Sequence, residues 1–126
     1  MSARFAGYAA LFDRVDRGGD VIRAGAFAGN AAPLPILWQH DAARPIGVVE
    51  TLAEDARGLR VIGRVDDAAL VKPGAGLSFG YRVRASRVGT NRELTALDLV
   101  EVSVVKQPMQ PLARVHAVEG DGGGSP

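Results

Sequence analysis

The sequence predicts a mainly β fold, mostly an antiparallel β-barrel with one or two short helices. Three observations lead there. Short apolar stretches with period-two alternation recur along the chain, as in Phe79, Tyr81 and Val83 with Arg82 and Arg84 interleaved. Turn signals rich in glycine, aspartate and asparagine separate them at fairly regular spacing, which suits a barrel or sandwich. Little room is left for helix, and no internal repeat is visible.

Taken in order, Ala3 to Phe12 suits a first strand, with Gly7 marking a bulge or a close backbone approach. Asp16 to Asp20 is a turn, and Val21 to Arg23 a short second strand. Gly25 to Asn30 is expected to form one helical turn, stopped by Asn30 and Pro33. Pro35 to His40 makes a third strand and Ile46 to Leu52 a fourth. The latter is joined to a fifth, Leu59 to Val65, by the polar turn Glu54 to Gly58, so the two form a hairpin. Asp66 to Lys72 is expected to be a short helix opened by its paired aspartates and ended by Pro73 and Gly74. The segment Gly76 to Arg84 gives the sixth strand and Glu93 to Val105 a long seventh. Leu112 to Val118 is the last. Residues 119–126 are expected to be a flexible glycine-rich tail behind a single domain over 1–118.

At 126 residues the chain is long enough for one core and too short for two. It has no cysteine, hence no disulfide, thiolate metal site or thiol nucleophile. A net charge of +1 gives no field to draw it to nucleic acid or anionic lipid. The strand-borne arginines Arg82, Arg84 and Arg87 lack the aromatic ladder of a single-strand binding face and read as a solvated surface. No apolar run approaches the roughly 18 residues of a membrane span. The opening residues lack the layout of a secretory signal, and the lack of cysteine fits an expected cytosolic setting.

Two side chains could carry chemistry. Ser78 starts the sixth strand on the face opposite Phe79 and Tyr81, and Gly80, on Ser78's own face, is expected to leave room beside the hydroxyl. A nucleophile needs such room, because a substrate carbonyl must approach within about 3 Å. His40 ends an apolar strand and faces a loop, a setting for a general base whose unperturbed pKa lies near neutrality. His116, in the last strand, has no evident role. A third polar group would fix the histidine tautomer. Asp41, Asp98 and Glu101 are the candidates, although Asp41, adjacent to His40, would diverge from it in an extended strand. Glu101 alternates with Leu97, Leu99, Ser103 and Val105 on an otherwise apolar face, where a carboxylate needs a histidine or arginine partner.

The ordered set of motifs resembles the prohead (capsid maturation) serine proteases of tailed bacteriophages, whose fold is related to the herpesvirus assemblins. It comprises Phe5-Ala6-Gly7-Tyr8, Gly19-Asp20, Gly25-Ala26-Phe27, Trp38-Gln39-His40-Asp41 and Pro45-Ile46-Gly47, then Glu54-Asp55, Gly58-Leu59 and Leu77-Ser78-Phe79-Gly80-Tyr81. It closes with Leu97 to Val105 and Pro108. The compactness and arginine bias suit a prophage or gene-transfer-agent version. The segment from Val65 to Gly76 is shorter than in most relatives.

The resemblance implies roles. Ser78 would be the nucleophile, His40 the general base and Glu101 the third member, with Asp98 as the fallback. Oxyanion donors would lie near Lys106 to Pro111, where two prolines lack N–H groups. It further implies an endopeptidase that cleaves scaffold segments and the major capsid protein inside an assembling prohead in the bacterial cytoplasm. No cofactor, metal, nucleic acid or membrane is called for, and a homodimer is left open. The alternative is a catalytically inactive β-barrel that serves as a scaffold or capsid-binding module.

Overall fold

The computed structural model describes residues 1–120. They form eight strands: β1 (Ala3–Leu11), β2 (Asp20–Ile22), β3 (Leu34–Trp38), β4 (Asp41–Glu54), β5 (Gly58–Val65), β6 (Gly76–Val88), β7 (Arg92–Val105) and β8 (Val115–Gly120). A single sheet takes them in the order β2-β7-β3-β4-β5-β1-β8, with β6 also paired to β7. Most pairs are antiparallel, but β2 and β3 both run parallel to β7. The predicted hairpin is present as β4 and β5, and the Asp55 carboxylate closes its turn by accepting the N–H groups of Arg57 and Gly58.

The expected closed barrel does not form. The start of β6 curls back toward the β8 side, yet the link there is an isolated bridge, Gly76 with Arg114. Three backbone hydrogen bonds from Gly74, Val115 and Leu77 support it. The physical reason lies in the chain between β7 and β8, which carries Pro108 and Pro111. A residue without an N–H cannot extend a ladder. Gly7 does what its position predicted. The β1–β8 register slips beside it, and an added Cβ there would stand 2.6 Å from the Arg114 carbonyl and 2.8 Å from a Leu77 methyl.

Both helix expectations need correction. Asp66 to Lys72 yields only a 3₁₀ turn, Ala68–Leu70, with the Asp67 carboxylate accepting the Ala69 N–H. Gly25 to Asn30 is a run of tight turns rather than a helix, because Gly25 and Gly29 sit at positive φ. Glu54 accepts the N–H groups of Gly25 and Phe27 and so holds that run in place. At the other end, β8 continues through Glu119 and Gly120, which pair with Arg4 and Ala3. The remainder of the expected tail, 121–126, lies outside the described residues.

The core is made where the apolar faces of the strands meet. Phe5, Ile36, Val61, Leu77, Leu94, Leu97 and Val102 are all essentially sealed from solvent. Each such large side chain contributes on the order of 1.5–3 kcal/mol of burial. Leu77 pairs with Val104 and Phe79 with Val102, so one face of the β6–β7 ribbon is committed to this core. The opposite face is then free to carry polar groups.

Candidate active site

That polar face is assembled by register. In the antiparallel β6–β7 ladder Ser78 stands opposite Ser103 and Gly80 opposite Glu101, so all four share one side of the sheet. Simple alternation would have put Glu101 with Leu97 and Leu99. It does not, because the ladder advances from Glu101 to Leu99 on β7 while moving only from Gly80 to Tyr81 on β6. Val100 is the extra residue of a β-bulge, and a bulge reverses the sense of alternation on either side of it. Leu97 and Leu99 thus follow the face of Tyr81 and Val83, while Glu101 turns to the Ser78 side. The apolar face that would have made this acid costly is no longer its surroundings.

Gly80 does not leave space for a substrate, as its position had suggested. An added Cβ would lie 2.3 Å from Glu101 Oε2, so the glycine makes room for the carboxylate instead.

His40 reaches the same place from a different element. The third strand stops at Trp38, two residues short of the expected end. Trp38 pairs with Asp41 across a two-residue turn made of Gln39 and His40, at φ of 54° and 60°. Tight hairpins favour positive φ at both central residues. For side chains other than glycine that conformation costs roughly 1–2 kcal/mol each. Four hydrogen bonds hold the turn against β7 and the loop after it. The Gln39 N–H donates to the Val104 carbonyl at 3.0 Å, and the His40 N–H to Ser103 Oγ at 3.1 Å. The Lys106 N–H donates to Gln39 Oε1 at 2.8 Å, and the His40 ring completes the set.

That ring bond is the centre of the site. His40 Nδ1 lies 3.2 Å and 3.1 Å from the two carboxylate oxygens of Glu101. Ser103 Oγ donates to Glu101 Oε1 at 2.5 Å. Glu101 is 6 % exposed and Ser103 not exposed at all. Burial works against the Glu101 anion, but the hydrogen bonds from His40 and Ser103 outweigh it and lower its pKa below 4.5. The hydrogen bond to Glu101 raises the His40 pKa above 6.5, against an opposing contribution from burial. In the neutral imidazole a carboxylate at Nδ1 keeps the proton on that nitrogen and leaves the Nε2 lone pair as acceptor.

The acid beside the imidazole is therefore Glu101. Asp98 is tied to Arg84 at 2.7 Å on an exposed part of the ribbon, and Asp41 accepts the Ala43 N–H. His116 stacks edge-on against Tyr8, with ring centroids 5.9 Å apart.

Ser78 is 9 % exposed, and it lines, together with His40, one cleft of about 730 Å³. Arg17, Gly18, Lys106, Gln107 and Met109 are among its other lining residues. A smaller pocket of about 100 Å³ adjoins it and is also bounded by His40 and Ser78, with Ile22, Phe79 and Tyr81 as its apolar wall. No hydrogen bond joins Ser78 to His40 among the described residues. Such contacts commonly tighten only when substrate is bound. Sequence reasoning gave no role to Ser103 or Gln39. A signal for the first was present, since residues two apart on a strand share a face.

A family model described as caudovirus prohead serine protease matches residues 1–122. The chain belongs to that family. Among solved structures, this family member is similar to a KSHV protease in complex with a hexapeptide phosphonate inhibitor. The TM-score is 0.65 and the identity 14 %, over 96 % of this chain and 66 % of that one. A second KSHV protease structure gives a TM-score of 0.60 at 14 % identity, over 96 % and 62 %. The chain spans just under two thirds of the length of those proteases. At such identity the likeness bears on fold alone. A search of curated proteins finds no match.

Proposed function

We propose that this chain is a serine endopeptidase of capsid maturation, with Ser78 as nucleophile, His40 as general base and Glu101 as the orienting acid. The observation that carries the reading is the carboxylate of Glu101 set against both lines of contact to His40 Nδ1, with Ser78 on the same cleft as the imidazole. Membership of the prohead serine protease family supports it.

In this reading Ser78 Oγ attacks a peptide carbonyl carbon as its proton passes to His40 Nε2. The imidazolium formed is stabilised by Glu101. The tetrahedral adduct collapses, His40 returns the proton to the departing amine, and an acyl-enzyme remains. Water, deprotonated by His40, then releases the acid and restores the serine. Donors for the developing oxyanion come from the segment after β7. Pro108 has no N–H and that of Lys106 is engaged by Gln39, so the cleft-lining Gln107 and Met109 are the residues whose N–H groups we assign to it. The substrates we assign are scaffold segments and the N-terminal part of the major capsid protein inside the assembling prohead. The bound hexapeptide phosphonate of the KSHV protease makes a peptide phosphonate the natural probe.

Co-expression with the major capsid protein tests the reading. The wild-type chain should shorten the capsid protein, and Ser78→Ala should leave it intact, a loss of about 10⁴-fold or more. Cleavage that persists in Ser78→Ala removes the serine from the mechanism. No cleavage with the wild type favours the inactive capsid-binding module.

A further inference from the structure

We propose that Ser103 is a positioning residue for this site, acting as the clasp that joins the acid on β7 to the turn bearing the imidazole. Its hydroxyl donates to Glu101 Oε1 at 2.5 Å and accepts the backbone N–H of His40 at 3.1 Å. A serine hydroxyl has one hydrogen and two lone pairs, so these bonds use its only donor and one acceptor. Ser103 is wholly buried and is absent from the lining of both cavities, so it does not touch substrate. It is also the cross-strand partner of Ser78 in β6 and of Leu37 in β3. One side chain thus sits where the strands carrying nucleophile, acid and base turn all meet.

Glu101 has free torsions, and His40 rides on a turn in a disfavoured backbone conformation. Of the hydrogen bonds that hold that turn, the one accepted by Ser103 comes to a hydroxyl that also donates to the acid, so Ser103 ties the two together. Without it the carboxylate loses a donor and the His40 N–H loses its acceptor. The imidazole should then be less firmly engaged by the acid. The other charged groups around His40 are Arg17 and Lys106 on the cleft rim, Asp16 in the adjoining pocket, and Asp41 next along the chain. None of these bonds to Ser103.

The test is an NMR titration of His40 in the full chain, wild type against Ser103→Ala. His116 is the other histidine and is removed as a signal by His116→Ala in both. The proposal expects the His40 titration to fall toward 6.5 in Ser103→Ala. It also expects kcat on the alkaline plateau to drop by roughly 10–100-fold with KM unchanged. A titration identical to wild type overturns it, because a residue that merely fills space would change the amount of folded protein and not the imidazole. Ser103→Cys, which keeps the shape with a far weaker donor, is read the same way should the alanine variant not fold. The kinetic arm rests on the protease reading and the titration does not. A wild type that cleaves nothing thus defeats that reading alone.

Discussion

At the scale of single residues the site is an exchange between one anion and one imidazole. Glu101 is buried and anionic because His40 and Ser103 both donate to it, and His40 is drawn toward its cation by the same contact. A general base works only when neutral, so the activity of the proposed enzyme should rise with pH through a value above 6.5. Glu101→Gln removes the anion while keeping the shape. It should lower kcat/KM by about 10²–10⁴-fold and move the onset of activity to lower pH. A pH profile of kcat/KM for the two proteins checks both parts. An unmoved onset would mean that Glu101 does not set the imidazole. The sequence pointed to Ser78 and His40 by their places at the ends of apolar strands, and to a partner for Glu101 by an alternation with Leu97 and Leu99 that the bulge at Val100 breaks. The role of Gly80 was misread. A missing side chain says that something comes close and not what it is, and here it is the carboxylate of the facing residue.

At the scale of elements, two irregularities bring the site together. The bulge at Val100 sends Glu101 to the side of Ser78, and the left-handed Gln39–His40 turn swings the imidazole over β7. Neither was visible beforehand. A bulge leaves the composition of a strand unchanged, and a turn lacking glycine, asparagine or aspartate at its centre carries no turn signature. The regular parts were far easier to read, as the β4–β5 hairpin shows, because alternation and a polar turn define it. Gly80→Ala follows from the element geometry. The new methyl would meet the far end of a flexible side chain, so the fold should persist while the carboxylate is pushed from His40. Thermal unfolding close to wild type with a 10–100-fold loss of kcat/KM is expected. Full activity in Gly80→Ala would show that the carboxylate position does not matter.

Across the whole molecule, the same ion pair links function to stability with opposite preferences. Glu101 has its pKa lowered on folding, so its contribution is present above 4.5 and is lost as pH falls through its folded value. His40 has its pKa raised, so its contribution is present below 6.5 and is lost as pH rises through its folded value. The pair therefore supports the fold best between about pH 4.5 and 6.5, below the range in which the proposed enzyme becomes active. The difference in unfolding midpoint between wild type and Glu101→Gln should be largest near pH 5–6 and shrink by about pH 9. A difference that does not vary with pH would contradict this linkage. The sheet as a whole was legible as mainly β, but its failure to close was not, because closure depends on which loops lie against β6 rather than on any strand's own pattern. The central claim is that this open sheet brings an activated serine to a cleft, and covalent labelling tests it most directly. A peptide phosphonate incubated with the full chain should modify Ser78 and no other serine, and mass spectrometry of the digest should show that labelling much slowed in His40→Ala. Modification elsewhere, no modification at all, or labelling of Ser78 that proceeds equally fast in His40→Ala would contradict it.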